Sequence, residues 1–320
     1  MKKIALILTL TICTSAAFAQ YKWDVGINIG AANYLGEIGG KEKTRRDFIF
    51  DMKLSQTKSA MGAFARYKVN KDISVRTAFG WYRISGADKY STNPGRVGRN
   101  LSFQNDLLEL SVTGQYIFYD IADLGRTYRY RNDFKAYVFI GAAGTYSNPK
   151  AEYQGSMVDL QPLHTEGQGL TPGAPASYSH YIFAIPAGAG FYFTFSKKYR
   201  IGWEFNWRTT FTDYIDDVST KYPDPNVLGS AEAIALSNRN PELQPYSDNA
   251  LPDPKNYYAH YENGAMQYPK RGDPKHNDSY LSTTINVSYV ITNKSKFAKG
   301  KYKTFFGKQY KKGRTIRAKF

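Results

Sequence analysis

The chain predicts an all-β fold: an eight-stranded antiparallel transmembrane β-barrel with long extracellular loops and a basic C-terminal periplasmic tail. Three observations predict it. An export signal opens the sequence, eight later segments alternate apolar and polar residues with a period of two, and the connectors between them alternate short and long. A period of two is a strand period, because successive Cβ atoms point to opposite faces. In the run 201–211, Ile201, Trp203, Phe205, Trp207 and Phe211 share one face, while Gly202, Glu204, Asn206, Arg208 and Thr210 share the other. Large aromatics on one side and Glu and Arg on the other fit a strand with lipid outside and a polar, packed lumen inside.

The first nineteen residues read as a secretory signal: Met1-Lys2-Lys3, an apolar run Ile4 to Ile12, then Ala17-Phe18-Ala19 as an A-x-A cleavage site. Cleavage after Ala19 would leave Gln20 first. The apolar run is short of the roughly 20 residues a membrane anchor needs. Cys13, the only cysteine, lies inside the signal, and Ile12 before it is too large for a lipoprotein site, so the mature chain has no thiol for a disulfide or metal. No long apolar stretch follows. Aromatic residues make up 16% of the chain, 27 of them tyrosine, while overall hydropathy is negative. Export, aromatic richness and no helical span suit an outer-membrane barrel; a secreted soluble β-protein is the rival. The chain divides into signal 1–19, barrel 20–292 and tail 293–320.

The strands are expected over Tyr21–Ala31, Met61–Val69, Ile73–Arg83, Leu108–Phe118, Phe134–Tyr146, Tyr181–Phe195, 201–211 and Leu281–Ile291. In the first, Trp23, Val25, Ile27 and Ile29 oppose Asp24, Gly26, Asn28 and Gly30. In the fourth, Leu108, Leu110 and Val112 oppose Glu109, Ser111 and Thr113. The fifth is apolar on both faces and fits either register. Tight turns at 69–72 and 196–199, and a somewhat longer one at 120–133, alternate with long connectors at 32–60, 84–105, 147–179 and 212–279. That is the pattern of periplasmic turns and extracellular loops, with both termini periplasmic in the outer membrane of a Gram-negative bacterium. A barrel of eight strands has an interior filled by side chains and no open pore. Inward Asp24, Arg66, Lys68, Arg76, Glu109, Glu204 and Arg208 mix both signs, and buried charges need partners. They are expected to form a luminal ion-pair network.

Site chemistry is sparse. Arg271-Gly272-Asp273 matches an integrin-type adhesion tripeptide, but with Pro274 it is also a turn signal. Asp213, Asp216, Asp217 and Asp224 could offer oxygens to calcium, though their spacing matches no EF-hand loop. His164, His180, His260 and His276 fall in or beside long loops without ligand spacing. Small barrels can be lipid A acylases, deacylases or phospholipases; His180, His276 and Ser279 stand near the expected rim, but their spacing selects no triad. The chain is read as non-enzymatic, with no cofactor, no small-molecule substrate and no nucleic-acid partner.

Residues 293–320 differ in kind, holding eleven Lys or Arg and no acid; without them the net charge falls from +16 to +5. Phe297, Tyr302, Phe305, Phe306, Tyr310 and Phe320 interleave with the charges. One reading is a solvated tail on anionic lipid headgroups. The other is a peptide that docks a periplasmic partner through Lys303, Phe305, Phe306, Tyr310, Lys311, Lys312, Arg314 and Arg317. Nucleic-acid binding is the cytosolic reading of such a tail, and export excludes it.

Three strings carry a family resemblance: Asn33-Tyr34-Leu35-Gly36-Glu37-Ile38-Gly39-Gly40, Thr212-Asp213-Tyr214-Ile215-Asp216-Asp217-Val218-Ser219, and Arg271-Gly272-Asp273-Pro274-Lys275. Together they resemble the PorG-like outer-membrane β-barrel family, whose namesake belongs to the type IX (Por) secretion system associated with gliding motility. The resemblance covers the mature barrel. It implies a non-enzymatic structural component of the secretion machine, held in outer-membrane lipid and touching a periplasmic ring built from a lipoprotein and its partner. It carries over no catalytic residue. The alternative class is a lipid-modifying enzyme or surface adhesin on an OmpA-like barrel.

Overall fold

A computed structural model describes residues 23–39, 54–122, 133–172, 174–243 and 253–291. The signal 1–19 and the tail 293–320 lie outside the described residues. The strands are β1 (Trp23–Leu35), β2 (Lys58–Lys68), β3 (Ile73–Ala87), β4 (Ser102–Ile121), β5 (Asp133–Tyr146), β6 (Pro149–Tyr153), β7 (Ser156–Asp159), β8 (Tyr181–Phe195), β9 (Tyr199–Thr210), β10 (His260–Glu262), β11 (Ala265–Gln267) and β12 (Ser279–Ile291). Eight of them run β3-β2-β1-β12-β9-β8-β5-β4, and β3 pairs β4 to close the ring. Every neighbour in the ring is antiparallel. Pairing of β1 with β12 joins the two ends of the barrel chain, so the barrel has no free edge.

All eight expected strands are present. β5 takes the register that buries Lys135, Tyr137, Phe139 and Thr145 and exposes Val138 and Ile140. The cause is polar: Tyr137 donates its hydroxyl to the buried Glu204 at 2.7 Å. Several strands outrun their alternating segments. β1 continues to Leu35, β3 to Ala87, and β4 begins at Ser102. At the end of β1 both faces are covered: Ala32, Asn33, Tyr34 and Leu35 are all buried. Two-sided burial erases the period of two, so the pattern falls silent there although the strand continues.

The outer surface is apolar in mid-barrel. Ile29, Ile140 and Ile285 are 60%, 64% and 59% exposed, with Ile27, Phe79, Leu110 and Val112 around them. Rings collect at both ends of this band. Trp23 with Tyr67, Tyr199 with Tyr289 and Phe134 with Phe193 lie toward the short turns; Phe183 with Phe211 and Tyr146 with Tyr181 lie toward the long connectors. An exposed apolar band between aromatic girdles is a lipid-facing surface. No described helix is long and apolar enough to cross a membrane. Ile29→Arg, near the middle of β1, should therefore cost about 2–4 kcal/mol of folding free energy in lipid vesicles. A loss below about 1 kcal/mol would show that this face does not meet hydrocarbon.

The described parts of the long connectors fold into a cap rather than splay as loops. The β6–β7 hairpin extends β4 through Gln104 and Lys150. A short helix Pro94–Arg99 starts on the Asn93 side chain, which accepts from the Gly95 N–H at 2.9 Å, and ends at Asn100 in the left-handed region. A second helix, Ala231–Ser237, is capped by Ser230, whose hydroxyl accepts from the Ala233 N–H at 3.0 Å. Ile38, Leu101, Leu160, Ile215, Val218 and Leu236 from the connectors pack with Tyr34, Ile84, Phe103, Leu107 and Tyr280 of the strand ends. The cap and the barrel mouth thus share one apolar core.

Candidate functional site

Two polar systems fill the molecule, one in the lumen and one under the cap. In the lumen, Asp24 meets Arg66 at 3.4 Å and Arg200 at 2.8 Å, and accepts from the Ser288 hydroxyl at 3.0 Å. Glu204 pairs with Arg76 and accepts from Tyr137. Glu109 receives two guanidinium nitrogens of Arg208 and the Tyr280 hydroxyl at 2.7 Å. A further Arg208 nitrogen donates to Ser282 Oγ at 2.8 Å. Arg76 also lies over the Phe64 ring and Arg208 over the Tyr82 ring, each at 4.1 Å, a contact that strengthens when desolvated. The structure thus brings Asp24, Arg66, Arg76, Glu109, Glu204 and Arg208 together as three ion pairs. Sequence reading missed Arg200 and the tyrosines. Arg200 sits one residue outside the seventh alternating segment, and a tyrosine reads equally well as lipid-facing. Between these pairs the void lined by Asn28, Arg76, Glu204 and Arg208 measures about 10 Å³, roughly one water. The lumen is packed.

Under the cap, Asp88 is fully buried and takes a two-pronged contact from Arg99, at 2.7 and 3.0 Å, plus the N–H groups of Gly39 and Leu101. Arg99 also donates to the backbone oxygens of Arg271 and Glu37. Arg271 in turn meets Glu166 at 3.1 Å and Asp217 at 3.7 Å. Glu166 further accepts from the N–H groups of Ser219 and Thr220. Tyr34 OH stands 2.6 Å from both Asp216 and Asp278. One hydroxyl proton cannot serve two carboxylates at once. Burial is the main force on the acids here. It pushes Glu37 up to about 8 and Asp213 to about 9, each aided by neighbouring carboxylates. Burial also raises Asp216 to about 7, and Asp217 to about 6 against the pull of Arg271.

Two sequence candidates are corrected by this geometry. Arg271 of the Arg-Gly-Asp tripeptide is only 3% exposed and is spent on Glu166 and Asp217, so it cannot be presented to a receptor. Asp224 is not part of the acidic group; it caps the turn Pro225–Val227 through the Asn226 N–H. Glu37, Asp88, Glu166 and Asp278 join the group instead. They come from four separate stretches, so no local spacing could reveal them. His180 meets the Ser147 carbonyl at 2.8 Å and stacks on Tyr146, while His276 meets Asp273 at 3.1 Å. His260 lies 3.1 Å from the Tyr258 carbonyl, His164 is a left-handed residue ending a turn, and Ser279 is buried at the start of β12. The tail residues proposed for docking lie outside the described residues.

A closed antiparallel barrel of eight strands, with an apolar belt, a plugged lumen and a folded cap, is the architecture of a small outer-membrane barrel. Comparison with known proteins adds little detail. Residues 2–158 match the profile of a family described as Domain of unknown function (DUF6089). No curated protein sequence matches. Among solved structures, the N-terminal β-barrel domain of Pseudomonas aeruginosa OprF is 9% identical, covering 83% of this chain and 96% of that one, with a TM-score of 0.31. Yersinia pestis Ail, the attachment invasion locus protein, in complex with the heparin analogue sucrose octasulfate, is 12% identical over 84% and 97%, with a TM-score of 0.31. Pseudomonas aeruginosa OprG is 9% identical over 86% and 99%, with a TM-score of 0.34. The barrel assignment rests on this chain's own strand pairing and surface, and no function is drawn from these likenesses.

Proposed function

We propose that this protein is a non-enzymatic structural component of the type IX secretion and gliding machinery. It is held in the outer membrane with its cap outside and its termini in the periplasm, where it touches a periplasmic ring of a lipoprotein and its partner. The observation that carries the proposal is charge segregation: the tail 293–320 holds +11, while residues 20–292 total about +3. The short-turn end of the barrel adds to it. A recess of about 380 Å³ there is lined by Lys68, Lys135, Lys197 and Arg200, against Asp120 and Asp133. A packed lumen supports a scaffold rather than a conduit. The three strings that resemble the PorG-like family supply the machine. Lys and Arg steer association over about 8 Å at physiological salt, and interleaved rings then anchor the contact, as interface hot spots do.

Recovery of the protein in mild detergent tests this. Phe305→Ala with Phe306→Ala should weaken recovery of periplasmic ring proteins more than Lys311→Gln with Lys312→Gln, while membrane insertion stays normal. If deleting 293–320 leaves ring-protein recovery and secretion untouched, docking through the tail is wrong and the tail is a lipid-binding segment. Lipid turnover by the isolated barrel would instead favour an envelope enzyme.

A further inference from the structure

The recess at the short-turn end holds more cations than its acids neutralise. Its walls carry Lys68, Lys135, Lys197 and Arg200, against Asp120 and Asp133. Two of the cations are committed. Lys135 pairs with Asp120, and Arg200 reaches the buried Asp24 at 2.8 Å. Lys68 and Lys197 have no ion-pair partner among the described residues. The charges of Lys135 and Arg200 oppose that of Lys68, against a smaller pull from Asp120 and Asp72. The recess is blind, because the Asp24–Arg66 pair and the packed lumen lie beneath Arg200.

The turn between β8 and β9 puts a lysine where the backbone resists one. Ser196 and Lys197 are both left-handed, with φ of 49° and 59°, and the Lys198 N–H donates to the Phe195 carbonyl at 3.0 Å. Two-residue hairpin turns of this hand favour Asn-Gly, because a Cβ crowds the following carbonyl there. Lys197 weakens the turn and supplies a cation to the recess. The recess also lies inside the ring of strands. Lys135 and Thr194 are buried inward positions, while their neighbours Phe134 and Phe193 pack together in the outer girdle at 4.9 Å. Lipid headgroups meet the outside of that girdle; a soluble segment enters from the turn side. The chain's own tail has the wrong sign for this seat, with eleven cations and no acid.

We propose that this recess binds an acidic peptide segment of a periplasmic protein, with a carboxylate side chain held by Lys68 and Lys197. Charge complementarity selects the partner, and about 380 Å³ falls within the range of pockets that enclose a small ligand. The proposal rests on the reading that the short turns face the periplasm, and not on the tail or on the identity of the machine.

The probe is a fluorescent polyglutamate peptide, titrated into full-length protein folded in zwitterionic detergent. Lys68→Gln with Lys197→Gln should weaken its binding at least about fivefold. Lys71→Gln with Lys198→Gln removes the same charge from the same end but outside the recess, and should weaken it less than about twofold. The tail is present in both, so its own attraction for the peptide cancels. Lys197→Gly removes the cation and relieves the turn. It should weaken peptide binding while the urea midpoint of the barrel holds or rises. Equal losses in the two double variants would mean diffuse surface charge and overturn the site. Loss of binding to phosphatidylglycerol vesicles in the recess variant, with peptide binding kept, would make a headgroup phosphate the occupant and overturn the peptide. Cleavage of the 69–72 or 196–199 turn by protease on intact cells would overturn the periplasmic partner. Ring-protein recovery is not read in any arm, so failure of tail docking leaves this test standing.

Discussion

Arg208→Ala should lower the unfolding free energy of the barrel by about 3–5 kcal/mol, because it strands Glu109 in the lumen. Both side chains of this pair are only 1% exposed. Removing the guanidinium leaves Glu109 with the Tyr280 hydroxyl and removes the cation from the Tyr82 face. The measurement is urea unfolding in lipid vesicles, followed by tryptophan fluorescence. A second variant isolates the cause. Arg208→Met with Glu109→Gln removes both charges and keeps an acceptor for Tyr280, so most of the loss should return. The half-exposed pair Arg83–Asp106, at 2.7 Å on the barrel's rim, is the control; breaking it should cost no more than about 1 kcal/mol. If Arg208→Ala costs as little as that, the lumen is wetter than its packing implies.

The lumen was legible from sequence because a barrel strand writes its two environments onto alternate residues. Each inward Glu or Arg stands out against outward Ile, Phe or Trp. Existence of the eight barrel strands followed from the same code, whereas β6, β7, β10 and β11 lie in stretches that read as connectors. What the code cannot carry is pairing across strands. Glu204 could have met any luminal cation; the fold decides for Arg76, 128 positions away. The cap was illegible for a related reason. Its acids come from 37, 88, 166, 213–217 and 278, and they meet only when four connectors fold over one mouth. Several residues that build its core, such as Ile38, Leu101 and Val218, are isolated apolar positions in polar stretches. Isolated apolar residues have no period, so long connectors read as loops although they are a packed layer.

That distinction between loop and layer has a direct consequence. Asp88→Ala should open the cap and leave the barrel closed. Asp88 is fully buried and accepts four donors: two from Arg99 and the N–H groups of Gly39 and Leu101. Its loss leaves a buried guanidinium uncompensated, a cost of about 3–5 kcal/mol. Arg99 is also the bridge to the backbone of Glu37 and Arg271, so the cost falls where three connectors meet. The strand ladders do not include Asp88, and their hydrogen bonds continue around the closed ring. The expected result on whole cells is faster protease cleavage within 88–101 and 212–278, with heat-modifiable migration of the barrel unchanged. Asp88→Asn should be milder, because an amide oxygen still accepts from one of the two backbone N–H groups, which reach different carboxylate oxygens in the wild type. Equal protease resistance of Asp88→Ala and wild type would mean that the cap does not depend on this ion pair. Loss of the barrel in the same variant would mean that cap and barrel fold as one unit, through the core that Tyr34, Ile84 and Tyr280 share with Ile38 and Val218.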